Sequence, residues 1–485
     1  MATAITNYLR VRNAKNMVST LNTGAYAFVG KPTEWTSGDE TPPTPNNSVK
    51  EYYDVFDLML SMKSIDNTNV VHGIVKNVWG SGEIYDMYRH DYTTTNRATS
   101  GAQNLYDASW VVINQNNNVY GCLDNSGGAQ SIVEPLSLTD EPFYTSDGYQ
   151  WLRLYNLSSD NMTNTSTDSF IPVAPTPDND IVDTVDGAIY TVSIDVPGAN
   201  ITTSPVGASN QIPYYFCNIV GDGVGAVARI TVTLGAVTLI EVVRNGSGYT
   251  YGNLDFTNGR CYASLNDLDA EINGLNPEGD GTFRSTVIIP PAGGFGTDLI
   301  QELGGTRVMV FVSLASNESD FDTGITYRQV GLLENPLGTN SATTVSATYA
   351  VNVTTYELDT TEFVIGETIS QTVTIDSVEY TARGILVNWD ETNGVIGYVQ
   401  DPDLHQDVNG IVYDFQGGED IVGANSTKRV APTTTSGLIG DQTFVDGYAP
   451  PEVTRYTGEL LYLSNISPVL RTDTQTEKLT MVIRF

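Results

Sequence analysis

Basic residues are scarce in this 485-residue chain. It has 23 Lys and Arg against 57 Asp and Glu, a formal net charge of −34. Phosphate backbones are gripped by clustered Lys and Arg, so free nucleic acid is not an expected partner. Histidine is scarcer still, with only His72, His90 and His405. None sits in an H-E-x-x-H motif or beside a cysteine, and there is no G-x-S-x-G nucleophile elbow. The three cysteines, Cys122, Cys217 and Cys261, are far apart, and no C-x-x-C offers zinc-ligand spacing. Buried free thiols are the expected state, which suits a reducing cytoplasm. No apolar run approaches the ~18 residues of a membrane span. The opening Met-Ala-Thr-Ala-Ile-Thr-Asn-Tyr lacks the basic and apolar regions of a secretory signal. The expectation is no cofactor, no metal, no catalytic residues and no membrane insertion.

What is present is strand vocabulary punctuated by Gly, Pro, Asn and Asp. At this length one core is not enough, and two or more domains are expected. Charged residues make up 16% of the chain, against about a quarter in a typical soluble chain. Like charge keeps such a molecule dispersed and directs it towards basic partner surfaces. The segments Trp110–Gln115, Asn118–Cys122 and Gln150–Leu157 read as strands. Residues 1–20 have room for a short helix. Val55, Phe56, Leu58, Met59 and Met62 recur at helical spacing behind Glu51 and Asp54, which predicts a helix over Val49–Lys63. Segment 160–185, rich in Asp, Asn and Pro, reads as a linker with little to pack.

Candidate chemistry is thin. Gly221, Gly223 and Gly225 have nucleotide-loop spacing, but an alternating strand follows instead of a helix, and no Lys-Ser/Thr closes a P-loop. Glycine-rich turns between antiparallel strands are the better reading. Asp178, Asp180, Asp183 and Asp186 have the alternation of calcium ligands without the EF-hand glycine or terminal glutamate, so a solvated acidic linker is expected. His90-Asp91 is read as a surface turn and Trp389 as a core anchor. A glycosidase carboxylate pair has no support in the spacing.

The end of the chain carries the most information. Tyr456-Thr-Gly-Glu-Leu-Leu-Tyr462-Leu-Ser-Asn465-Ile-Ser-Pro468-Val precedes a final alternation of Leu479, Met481, Ile483 and Phe485. Leu460–Leu463 has strand length, a turn is predicted at Asn465–Pro468, and the last segment suits a half-buried strand tied into a sheet. Other stretches stand in order before it. They are Phe28-Val-Gly30-Lys31 through Trp35 to Pro42-Pro43, and Val78-Trp79-Gly80 with Tyr85 and Tyr88. Val119-Tyr120-Gly-Cys122-Leu-Asp124 and Asp147-Gly148-Tyr149-Gln-Trp151 follow, then Tyr327-Arg328-Gln329-Val330 with Asn335-Pro336. Together with the C-terminus, this series resembles one baseplate wedge subunit of contractile-tailed, T-even-like bacteriophages, the eighth gene product of the wedge series. The likeness covers roughly 1–175, 285–340 and 450–485.

The expected fold class is mainly β with a few helices (α+β), a multi-domain, β-sandwich-like architecture with inserted β modules. The expected parts are 1–175, the N-terminal part of the main domain, and 176–284, an inserted β module. Segment 285–340 follows, then 341–449 as a second inserted module, and 450–485 returns as C-terminal strands. The resemblance implies a structural subunit rather than an enzyme, a homodimer in contact with other wedge subunits. It would be located in the virion tail baseplate and assembled in the host cytoplasm. The alternatives are an exposed tail adhesin or carbohydrate-binding module, whose insertions would carry aromatic sugar platforms, and then a depolymerase.

Overall fold

The computed structural model describes residues 6–485 except 140, 174–184, 203–213, 258, 278, 316–317, 319, 357–359, 441 and 473. Strands take 39% of the chain and helices 10%, so the fold is β-rich α+β built from several sheets. The chain divides into two compact units. One comprises 1–15, 72–309 and 483–485; the other comprises 16–71 and 310–482.

In the second unit a five-stranded sheet has the order Thr344–Ser346, Met59–Ser64, Ala25–Gly30, Thr326–Glu334, Glu459–Leu470. All its neighbours are antiparallel. Ala25–Gly30 is buried along its whole length, and Thr326–Glu334 from Tyr327 to Leu333. A strand covered on both faces and paired on both edges has no solvent side, so its buried polar residues Arg328 and Gln329 must find their partners inside the protein. Gly331 sits where a Cβ would run into the Phe28 ring at 2.4 Å, so only glycine lets these two strands approach.

The predicted helix over Val49–Lys63 is half right. Ser48 caps a helix over Val49–Asp57 by accepting from the Glu51 amide, but the helix stops there. Met59–Ser64 is instead a strand that pairs with Ala25–Gly30. Its apolar residues suit either period, and the neighbouring strand decides between them. The turn predicted at Asn465–Pro468 is also corrected. Glu459–Leu470 runs as one strand, and its pairing with Thr326–Glu334 takes up register shifts between Tyr327/Gln329 and between Leu332/Leu333. Pro468 is tolerated because this strand lies at the sheet edge, where a missing N–H breaks no ladder.

The strands from Tyr349 to Pro432 close into a barrel. Tyr349–Thr355 pairs with Val395–Val399, which pairs with Val378–Asp390, then Thr368–Ile375, Ile421–Gly423 and Arg429–Pro432, which returns to Tyr349–Thr355. Val351, Ile369, Leu386, Ile396, Ile421 and Val430 fill the interior, so it is a packed core and not a channel.

Two of the sheets of the first unit have four and five strands. One has the order Val111–Ile113, Asn118–Asp124, Gln150–Asn156, Phe143–Tyr144. The other is built on Tyr214–Gly221, which pairs with Val227–Thr233, Gly252–Leu254 and Cys261–Tyr262, with Ala236–Arg244 beyond Val227–Thr233, around its own core of Ile189, Tyr215, Cys217, Ile230 and Ile240. The linker reading of 160–173 is corrected. Ser159–Asn164 is a helix, and Phe170–Pro172 is a strand that pairs with Gly73–Val75 and buries Ile171 and Val173. Residues 174–184 lie outside the described residues. Residues 7–21 form the expected N-terminal helix, somewhat longer than a short one.

One buried charge holds the C-terminal return in the second unit. The Arg471 guanidinium is 2% exposed. It donates to the Phe321 carbonyl and, at 2.8 Å, to the Ala315 carbonyl. Its Nε lies 3.2 Å from the Glu477 carboxylate, which also accepts from the Tyr327 hydroxyl at 3.3 Å. Removing one partner of a buried pair leaves the other charge uncompensated, a cost of about 3–5 kcal/mol. Arg471→Met should therefore lower the urea midpoint sharply, and Arg471→Met with Glu477→Leu should recover most of the loss. Truncation after Thr474 removes Glu477 and the buried Met481 together and should yield insoluble protein.

Candidate functional site

The residues singled out in the sequence converge in two places, one in each unit. In the first unit, Tyr85, Tyr88, Tyr120, Cys122, Tyr149 and Trp151 belong to a single core, with Trp79 packed against it. The Tyr149 and Trp151 rings stack at 5.4 Å, and Tyr85 meets Trp151 edge-on at 5.9 Å. The Tyr149 hydroxyl donates to the Ala129 carbonyl and accepts from the Tyr85 amide, and Trp79 Nε1 donates to Ser131 Oγ at 3.1 Å, whereas the buried Trp151 Nε1 has no hydrogen-bond partner among the described residues. Asp147 accepts from the Ile132 and Val133 amides and from Thr145 Oγ1. Burial raises its carboxyl pKa, but these donors outweigh burial and hold it below the ordinary range. Asp86, fully buried, accepts from the amides and hydroxyls of Ser100 and Ser109. These acids hold loops in place.

In the second unit, Arg328 reaches from the central strand to the Trp35 loop. It forms a bidentate pair with Asp39 at 2.8 Å on both arms and donates to the Pro32 carbonyl. The arginine hydrogen bond lowers the Asp39 pKa. Trp35 Nε1 donates to the Ile466 carbonyl across 431 residues of sequence, and Asn465 Nδ2 donates to the Pro43 carbonyl while its Oδ1 accepts from Gln329. Lys31 and Thr33 both meet the buried Asp401 of the barrel unit, at 3.0 and 2.6 Å.

The other candidates resolve into structural roles. The Nδ1 of each histidine meets a backbone group: His72 the Gly305 carbonyl, His90 the Ile289 amide and His405 the Asp401 amide. Burial lowers all three pKa values, that of His405 to about 4, so the rings are neutral near pH 7. Asp91 pairs with Arg89 at 2.8 and 2.9 Å, not with a proton-shuttling His90. The glycine-rich stretch is the end of one strand and the turn into the next. Asp222 accepts there from the Thr250 hydroxyl and from the Thr250 and Tyr251 amides, which brings its pKa down to about 2. Asp178, Asp180 and Asp183 lie outside the described residues, and Asp186 accepts from the Gly293 amide. Trp389 is partly buried against the barrel core, edge-on to Phe363 at 5.3 Å. Among the described residues no group of His, Cys, Asp and Glu is arranged to hold a metal, and no helix is long and apolar enough to cross a membrane.

Concave regions are also present, and two of them escaped the sequence reading because each is assembled from loops without a motif. In the first unit a cleft of about 500 Å³ is lined by Asp124, Ser126, Tyr144, Ser146, Ser193, Thr238 and Glu241. Its lining is rich in hydroxyls and carboxylates; among the described residues no lysine or arginine lines it, although Arg89 donates to the Ser193 hydroxyl and Arg229 to the Glu241 carboxylate. Burial raises the Asp124 pKa, and Tyr144 presents a partly exposed ring. In the second unit a shallower pocket gathers Asp320, Asp322, Asp390 and Glu452 with Asn388. Asp320 takes the Thr344 hydroxyl and Asp322 takes the Asn388 amide, so this acidic set is bonded into the fold.

A scan against protein-family models finds no match, and a search of the curated proteins finds none either.

Asp322 gives a pH test. Burial, reinforced by the Asp320 charge, raises its pKa from the ordinary 3.8 to about 7. Between these values the folded state holds a proton that the unfolded state lacks, so stability falls as pH rises from 4 to 7. Asp322→Asn should flatten that dependence. Melting temperatures at pH 5 and 7.5 should differ less in the variant than in the wild type. An unchanged difference would mean the carboxyl is ionised in the folded state.

Proposed function

We propose that the chain is a structural subunit of a contractile phage-tail baseplate wedge. It would hold neighbouring wedge proteins together during assembly and infection, with no enzymatic role. Its partners would be a second copy of itself and other wedge subunits, in the virion after assembly in the host cytoplasm. The supporting observation is the convergence of the family-like stretches. Those around 25–45, 326–336 and 456–470 are neighbours in one sheet and its clasp. Those around 79–88, 119–124 and 147–151 meet in one aromatic core.

An interface of suitable chemistry lies beside the edge strand. Val49 is 73% exposed, and Tyr53 and Tyr456 are about half exposed with their rings 5.1 Å apart. Val49 and Tyr53, with Leu460 and Leu463, form the apolar part of a groove of about 470 Å³ that Asn46, Asn47 and Glu51 also line. Aromatic anchors next to an apolar groove are the features that carry binding energy at protein interfaces.

The cleft at Asp124, Tyr144 and Glu241 favours a second reading, a module that binds neutral sugars. Many hydroxyl-directed polar groups around one aromatic face, with no basic side chain in the described lining, suit a polyol and disfavour a phosphate.

Val49→Asp with Tyr53→Asp should leave the melting temperature within a few degrees of wild type and abolish co-assembly with the other wedge subunits, read by co-sedimentation. Normal co-assembly would remove this groove from the interface. Tyr144→Ala with Asp124→Asn should leave co-assembly intact. A loss of binding to neutral oligosaccharides in that variant, with wedge assembly absent in the wild type, would favour the second reading.

A further inference from the structure

Cysteine is rare in this chain, and two of its three cysteines face each other. Cys217 lies on the strand Tyr214–Gly221 directly opposite Cys261 on the strand Cys261–Tyr262. Their sulfurs are 3.3 Å apart and neither residue is exposed. Directly opposed residues on antiparallel strands lie within the Cα range that a disulfide spans. The third cysteine, Cys122, belongs to the separate aromatic core of the first unit.

The strand that carries Cys261 is weakly held. It has two residues and pairs with its neighbour only at Phe216/Tyr262 and Cys217/Cys261. Beyond that, the Cys261 carbonyl accepts from the Leu275 amide at 2.6 Å and its thiol faces the Thr257 carbonyl at 3.6 Å. A short, two-position pairing is the kind of element that opens locally before the rest of a sheet does.

We propose that Cys217 and Cys261 are a redox-modification site that closes into an intramolecular disulfide when the protein meets a low-molecular-weight disulfide such as oxidised glutathione. A thiolate of one cysteine attacks the glutathione disulfide and expels one glutathione thiolate. The thiolate of the other cysteine then attacks the mixed disulfide and expels the second. Two protein thiols are oxidised, one glutathione disulfide is reduced to two thiols, and the two cysteine protons pass to the departing thiolates. Burial holds the Cys217 thiol well above its ordinary pKa, the neighbouring Cys261 adds to this, and both sulfurs are closed off from solvent. Oxidation therefore proceeds through opening of the Cys261 strand. Once formed, the bond fixes the one strand of this sheet that its ladder secures least.

The full-length chain is incubated with excess oxidised glutathione, with and without subdenaturing urea, then denatured, alkylated and weighed. The expected product has lost two hydrogen atoms, takes up alkylating agent only at Cys122, forms several-fold faster in urea and reverts with dithiothreitol. Cys122→Ser should give the same bridge. Cys261→Ser should stop at a single glutathione adduct on Cys217. The measurement on the wild-type chain needs no variant to fold. Three alkylatable cysteines after equilibration in urea would overturn the proposal. Stable glutathione adducts on the wild type, or a bridge to Cys122, would overturn it too.

Discussion

The strand Thr326–Glu334 is the constraint on which the second unit depends. Both of its edges are taken by strands remote in sequence, Ala25–Gly30 on one side and Glu459–Leu470 on the other. Its residues from Tyr327 to Leu333 have no water to turn to, so every backbone group must be paired by those two neighbours. Arg328 adds a second tie, reaching Asp39 across 289 residues. The price of such long-range closure is entropic and grows only slowly with the length of chain between the strands. That leniency lets a complete barrel stand between Glu334 and Glu459 without disturbing the strands on either side. It does not make the barrel segment separable at any arbitrary point. Thr344–Ser346 is an edge strand of the central sheet, and Asp401 accepts from Lys31 and Thr33.

The scarce basic residues are used inside the protein as much as on its surface. Arg328, Arg471 and Lys31 are each committed to carboxylates or carbonyls within the second unit, and Arg89 bridges Asp91 and Ser193 in the first. With 23 positive residues against 57 negative, and enclosed bases matched by enclosed acids such as Asp401 and Glu477, the surface keeps the acidic excess of the sequence. Such a surface repels its own kind at long range and favours basic partners, so any self-association has to be carried by apolar contact.

Much of the fold was legible in the sequence because alternation and turn chemistry are local. Gln150–Leu157 and the hairpin after Gly221 read as strands and are strands. The misreadings occur where a neighbour decides. Met59–Ser64 has an apolar spacing that fits a helix or a doubly covered strand, and only the adjoining Ala25–Gly30 selects the strand. Pro468 and Asn465 carry turn chemistry but sit on an edge, where a strand tolerates both. Phe170–Pro172 lies in a polar, Pro-rich stretch, and its pairing with Gly73–Val75 could not be read locally. Barrel closure is likewise a property of the last pairing, Tyr349–Thr355 with Val395–Val399, and no single strand encodes it. Of the site features, the aromatic stretches were visible as words and their convergence was not. The clefts were invisible because loops distant in sequence line them.

The most direct measurement of the central claim is a side-chain-resolution density map of intact virions. The account predicts that the baseplate body contains this chain, with the Trp35 loop clasped by Arg328 and the Glu459–Leu470 edge beside neighbouring protein density. Finding the chain at a fibre tip with that edge facing solvent, or finding no copy in the virion, would contradict it.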